Sequence, residues 1–297
     1  WCWQDLLAQG VSVGAPPDEF NPQGQDWGLT PFIPHKLRAA GYQPLIETIR
    51  ATARHAGGLR IDHVMGLFHL FWIPRDTGGA ANGAFVRTHA DELLGIIALE
   101  SERAGAFVVG EDLGTVEPGV REKMADYRML SYRLMYFEPK PPAEYPELAL
   151  SSVSTHDLPT IAGLATGADI KRAQTAGSPQ NEEGLRGLRD KLAQLAATPH
   201  DGPPADLIRN VHAALAAAPS RVLLATLDDA LAVEERPNIP GAHEEWSNWS
   251  TALPVPLEEF ETWELPQQLA QRLARPGKEP TKVVPDPGAG DENPQTR

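Results

Sequence analysis

The sequence is poor in cysteine, in basic charge and in long apolar runs. Cys2 is its only cysteine, so no internal disulfide can form, and a reducing, cytoplasmic setting is expected. Lys and Arg number 26 against 40 Asp and Glu, a net charge of −14. With no basic block, that balance argues against nucleic acid or an anionic membrane as a partner. No apolar run approaches the ~20 residues of a transmembrane helix. The chain also lacks an initiating Met. It opens Trp1-Cys2-Trp3 without the basic flank and apolar stretch of a signal peptide, and is read as a chain whose beginning is missing. No internal repeat is found. What is present is a 297-residue sequence, 41% hydrophobic, long enough for one large domain or two ordinary ones.

The pattern along the chain alternates between strand and helix. Residues 3–8 suit a short helix, and 10–14 a strand or loop. Residues 15–34 hold five prolines and two glycines, which excludes a continuous helix or a central strand. Loops of this length are often functional. Leu45, Ile46, Ile49 and Ala53 mark a helix over 42–55 that ends at Gly57-Gly58. Asn82 is expected to cap a helix over 84–104, burying Leu93, Leu94, Ile97 and Ala98. Glu117-Pro118 opens another helix, and residues 160–218 read as Ala-rich helices broken at 174–184. Five strands are expected, near 59–62, 106–111, 129–137, 150–156 and 221–227. Strands alternating with helices make a parallel sheet. A closed barrel needs eight, so either the sheet is open or three strands lie upstream of Trp1. From about Arg275 the composition loses its apolar period and predicts a disordered tail over 275–297.

Three of the expected strands end on an acid. Leu59-Arg60-Ile61-Asp62 places Arg60 and Asp62 on one face of a strand and Leu59 and Ile61 on the other. The Arg60 cation favours an ionised Asp62, as a carboxylate nucleophile requires. Phe107-Val108-Val109-Gly110 runs into Glu111, and Ser151-Ser152-Val153-Ser154-Thr155-His156 into Asp157. Catalytic groups of an α/β barrel sit at the C-terminal ends of its strands. Retaining glycoside chemistry needs two carboxyls, one ionised to attack the anomeric carbon and one protonated to serve the leaving oxygen. Asp62 suits the first role and Glu111 the second, if burial or a nearby negative charge raises its pKa. Asp157 is then left to bind sugar hydroxyls, with His63 and His156 as hydrogen-bond partners. Taken singly, a strand-end acid is more often a cap or an ion pair. His156-Asp157 lacks further ligands at metal spacing, Asp228-Asp229 reads as a loop or cap, and Arg186 and Arg189 as a solvated helix face. Trp27 is open between packing and a sugar platform.

These residues resemble the amylomaltases, or disproportionating enzymes, a 4-alpha-glucanotransferase family related to the α-amylases. Gly24-Gln25-Asp26-Trp27-Gly28, preceded by Pro16-Pro17-Asp18, resembles the family's Gly-Gln-x-Trp-Gly loop. Arg60-Ile61-Asp62-His63 resembles its nucleophile strand, Gly110-Glu111-Asp112-Leu113-Gly114 its acid/base strand, and Thr155-His156-Asp157 the segment with its third carboxylate. Asn238-Ile239-Pro240-Gly241 and Asn248-Trp249 look like its closing segment, although Ser250-Thr251 stand where relatives usually have arginines. The resemblance runs from about Ala15 to Leu257. It implies a (β/α)8 TIM-type barrel, incomplete here, with about the last five strands and helical insertions in residues 1–274. It further implies Asp62 as nucleophile, Glu111 as general acid/base and Asp157 as transition-state stabiliser. Arg60, His63, His156, Trp27, Gln25, Asn238 and Pro240 are implied substrate contacts, with maltodextrin as substrate and neither metal nor organic cofactor. Transfer of α-1,4-glucan segments is the expected activity. The alternatives are an α-glucan hydrolase using the same acids, or an inactive glucan-binding fragment.

Overall fold

A computed structural model describes residues 3–17, 23–76, 78–175, 182–199, 202–239 and 248–275. Among them nine strands form two sheets. Strands β1 (Val11–Ala15), β2 (Gln25–Leu29), β4 (His69–Pro74) and β5 (Ala84–Arg87) build an antiparallel sheet in the order β2-β1-β4-β5. Strands β3 (Gly58–Ile61), β6 (Phe107–Gly110), β7 (Leu130–Leu134), β8 (Ala149–Ser152) and β9 (Val222–Leu223) build a parallel sheet in sequence order.

All five expected parallel strands are present, in the expected order and direction. Parallel strands are covered on both faces and so read as nearly continuous apolar runs. In β6 the period of two sends Val108 to one side, against Ile49, Leu94, Ile97 and Met124, and Val109 to the other, against Leu130, Tyr132, Leu134 and Leu150. The last strand is shorter than the run 221–227: pairing stops at Leu223, and Thr226 caps a helix at Leu227–Ala230 by accepting from Asp229 N–H at 3.1 Å.

The antiparallel sheet departs from the expectations. The helix assigned to 84–104 begins only at Ala90 and ends at Gly105, whose φ of +62° suits glycine. Residues 84–87 instead pair with β4, because alternate side chains have a partner there: the Phe85 ring sits 5.1 Å from Phe71 and 4.6 Å from His69. Asn82 lies in a short 3-10 turn rather than at a helix cap. The loop expected over 15–34 contains β2, which the prolines permit because β2 is an edge strand. Gly14 makes that pairing possible. A Cβ there would lie 1.9 Å from the Gln25 carbonyl oxygen, at the point where the β1–β2 register shifts.

The helices at Gln43–Ala53 and Ala90–Ala104 pack on one face of the parallel sheet. Helices over 161–166, 168–175, 182–195 and 204–215 follow β8 and enclose their own core, in which Ile161, Leu192, Leu207, Ile208, Val211 and Leu215 are buried. Residues 176–181 of the expected helix break and 276–297 of the expected tail lie outside the described residues.

Candidate active site

The C-terminal ends of the parallel strands carry the acids. Asp62 follows β3 directly, and its Oδ1 lies 2.6 Å from Arg60 Nη1. The Asp62 side chain is largely exposed, so it meets solvent or ligand already paired with a cation. The Arg60 guanidinium stands 5.7 Å from the centre of the Tyr132 ring on β7, an arrangement that orients the planar cation. Sequence reasoning did not single out Tyr132. Its hydroxyl accepts from Ser152 Oγ at 3.4 Å, so it links the end of β8 to the Arg60–Asp62 pair.

Glu111 follows β6, the strand beside β3, and is buried. Its main chain continues the ladder: its N–H donates to the Ile61 carbonyl at 2.9 Å, and its carbonyl accepts from Val64 N–H at 2.9 Å. The carboxylate accepts from His63 N–H at 2.8 Å and from Leu113 N–H at 2.7 Å. Burial nevertheless pushes its pKa up. The two backbone donors and Arg60 pull the other way, while the Asp62 charge adds to the rise. The two carboxyls thus sit in different surroundings: Asp62 is exposed and bonded to a cation, and Glu111 is withdrawn from water. Asp112 is fully buried and turned to other work. It accepts from Arg121 Nε at 2.7 Å and from Tyr132 N–H at 2.7 Å, tying β6 to β7.

His63 has a left-handed backbone, φ +45°, which turns its N–H toward Glu111. Burial lowers its pKa and favours the neutral ring. The Trp27 ring meets it edge-on at 5.0 Å, and Trp27 Nε1–H donates to Gln25 Oε1 at 2.9 Å. The Gly-Gln-x-Trp-Gly segment on β2 thus reaches the acids through His63. Asp157, five residues beyond β8, gathers a second group. Its Oδ1 accepts from Asn238 Nδ2 at 2.6 Å, His156 Nε2 lies 3.4 Å from Oδ2, and its carbonyl accepts from Arg236 Nη1 at 3.4 Å. Arg236 is itself buried against Asp169, its Nε donating to Oδ1 at 2.7 Å and its Nη2 to Oδ2. The structure therefore joins Arg60, Asp62, His63, Glu111, Gln25 and Trp27 in one group, and Asp157, His156 and Asn238 in another. Pro240 lies outside the described residues. Among the described residues no group of three or more His, Cys, Asp or Glu side chains is placed to hold a metal ion.

The family model described as 4-alpha-glucanotransferase matches residues 1–257. The chain belongs to that family. A 4-alpha-glucanotransferase of Mycobacterium bovis is 41% identical over 277 residues, covering 86% of this chain and 38% of the relative. One from Haemophilus influenzae is 36% identical over 281 residues, covering 86% and 40%. The solved amylomaltase of Corynebacterium glutamicum superposes with a TM-score of 0.85 at 35% identity, over 90% of this chain and 43% of that one. The parallel sheet is accordingly part of the (β/α) barrel expected from the sequence. An amylomaltase of Streptococcus agalactiae in complex with acarbose, at TM-score 0.71 and 19% identity over 92% of this chain and 53% of that one, agrees in fold. The chain spans about two fifths of the length of the curated 4-alpha-glucanotransferases it matches.

Proposed function

We propose that this chain carries the acids of a 4-alpha-glucanotransferase that moves α-1,4-glucan segments between maltodextrins by retaining double displacement. The observation behind this reading is the pairing at the ends of β3 and β6: Asp62 bonded to Arg60 at 2.6 Å, and Glu111 buried with its pKa raised. Asp62 attacks the anomeric carbon while the Glu111 proton passes to the leaving glycosidic oxygen, giving a covalent glycosyl-enzyme and a shortened glucan. The resulting Glu111 carboxylate takes the proton of an incoming sugar hydroxyl, whose oxygen displaces Asp62. Asp157 holds sugar hydroxyls, its carboxylate fixed by Asn238 and flanked by His156. Arg60, His63, Gln25 and Trp27 contact the glucan beside Asp62 and Glu111. A reducing, cytoplasmic setting fits the single cysteine. No helix among the described residues is long and apolar enough to cross a membrane.

The test is incubation of the chain with maltotriose, with the products resolved by size. Glucose together with oligomers longer than maltotriose establishes transfer. Shorter products alone replace transferase with hydrolase, and unchanged maltotriose that still binds leaves a glucan-binding protein without turnover.

A further inference from the structure

Two exposed tryptophans stand against the two histidines that adjoin candidate acids. Trp27 meets His63, next to Asp62, and Trp249 lies with its ring centre 5.1 Å from His156, next to Asp157, the planes inclined at 45°. Trp249 is 65% exposed, although its indole offers one of the largest apolar surfaces of any side chain. Its backbone is left-handed, φ +61°, a costly conformation for an aromatic residue. The surroundings impose it. Trp249 N–H donates to the Pro237 carbonyl at 2.8 Å, and the neighbouring Asn248 side chain accepts from Ile239 N–H at 2.9 Å and donates to the Ile239 carbonyl at 3.3 Å. These bonds tie the indole to the segment whose Asn238 grips Asp157. Backbone strain held by its neighbours collects at ligand-contacting sites. A strained backbone that leaves an indole in water gains nothing for folding.

We propose that Trp249 is a sugar platform, stacking the apolar C–H face of a pyranose ring beside His156 and Asp157. This rests on the glucan reading above and adds a specificity-determining residue to it. The indole supplies area without hydrogen-bond direction, so it selects for a ring bound flat at that distance from Asp157 rather than for a particular hydroxyl. The His156 ring is tilted at 45° to the indole, which it leaves 65% exposed.

The test is calorimetric binding of maltoheptaose to the full chain and to Trp249→Tyr and Trp249→Gly, with thermal unfolding of each. Tyrosine keeps a stacking ring; glycine removes it and accepts a positive φ without strain. The expected result is affinity within about threefold of the parent for Trp249→Tyr and weaker by about tenfold for Trp249→Gly, whose unfolding temperature is not lowered. Unchanged affinity in Trp249→Gly overturns the proposal. So does a fall in affinity accompanied by a lower unfolding temperature, which makes the indole a packing residue. If the parent chain itself fails to bind maltoheptaose, the glucan reading is what fails, and the platform falls with it.

Discussion

At the scale of single residues, the arrangement turns on how differently two adjacent carboxyls are treated. Glu111 is raised above its ordinary value of 4.5, mainly by burial. A carboxyl raised on folding holds its proton more tightly in the native state than in the unfolded one. Stability attached to it is therefore full below the ordinary value and is lost as pH rises toward the folded value. Glu111→Gln cannot titrate, so its stability relative to the parent should improve as pH is raised from below 4.5, in denaturation curves measured at several pH values. The same variant should lower transfer from maltotriose by about a hundredfold or more; undiminished turnover removes Glu111 from the acid/base role. Arg60→Ala makes a different case. Both partners of the Arg60–Asp62 pair are more than a third exposed, and exposed pairs contribute under about 1 kcal/mol. The variant should unfold within about 1 kcal/mol of the parent. Turnover should nonetheless drop about tenfold or more, because Asp62 loses the side chain that holds it in place at 2.6 Å. Equal turnover would make the pair a surface decoration.

At the scale of elements, Arg236 and Asp169 fasten the loop before Asn238 to the helices that follow β8. Both side chains are buried, and removing one partner of such a pair typically costs about 3–5 kcal/mol, since the other charge is stranded. Asp169→Ala should show a loss of that size in urea denaturation. Replacing the pair by Asp169→Leu with Arg236→Met should restore much of the stability, because apolar replacements of buried pairs are often neutral. The double variant still lacks the Arg236 donor to the Asp157 carbonyl, so turnover should stay low while stability returns. Recovery of both together would reduce the pair to a folding device. This clamp was hidden in the sequence because its partners lie 67 residues apart. The same holds for Tyr132 and Arg60, which meet only when β3 and β7 curve toward one another. The strand-end acids were legible, since Leu59-Arg60-Ile61-Asp62 and Phe107-Val108-Val109-Gly110-Glu111 state the buried strand and its polar end in consecutive letters. Strand β5 was not. Its Ala84-Phe85-Val86-Arg87 continues into a helix with no glycine or proline between, and only pairing with β4 decides its conformation. Strand β2 was concealed in another way, by flanking prolines that an edge strand tolerates.

At the scale of the whole molecule, the parallel sheet is open among the described residues. Strands β3 and β9 are its edges, and exposed edges are templates for pairing with another chain. Apolar surface lies beside them: Phe107 is 48% exposed, and a groove of about 630 Å³ runs past Leu99, Phe107, Tyr127, Leu130 and Val222. Opposing that attraction is the net charge of −14, which keeps copies apart over a Debye length of ~30 Å at 0.01 M salt but only ~8 Å at 0.15 M. The balance predicts self-association that grows with salt. Light scattering of the chain at fixed concentration should give a larger mean mass at 0.15 M NaCl than at 0.01 M, with urea-free samples returning to the smaller mass on dilution into low salt. Phe107→Lys breaks the apolar surface next to the β3 edge without entering the core, and should suppress the increase by more than half. A mass that stays constant across the salt range would show that the edges are already closed to strangers, and that charge has no part in keeping this sheet apart from its copies.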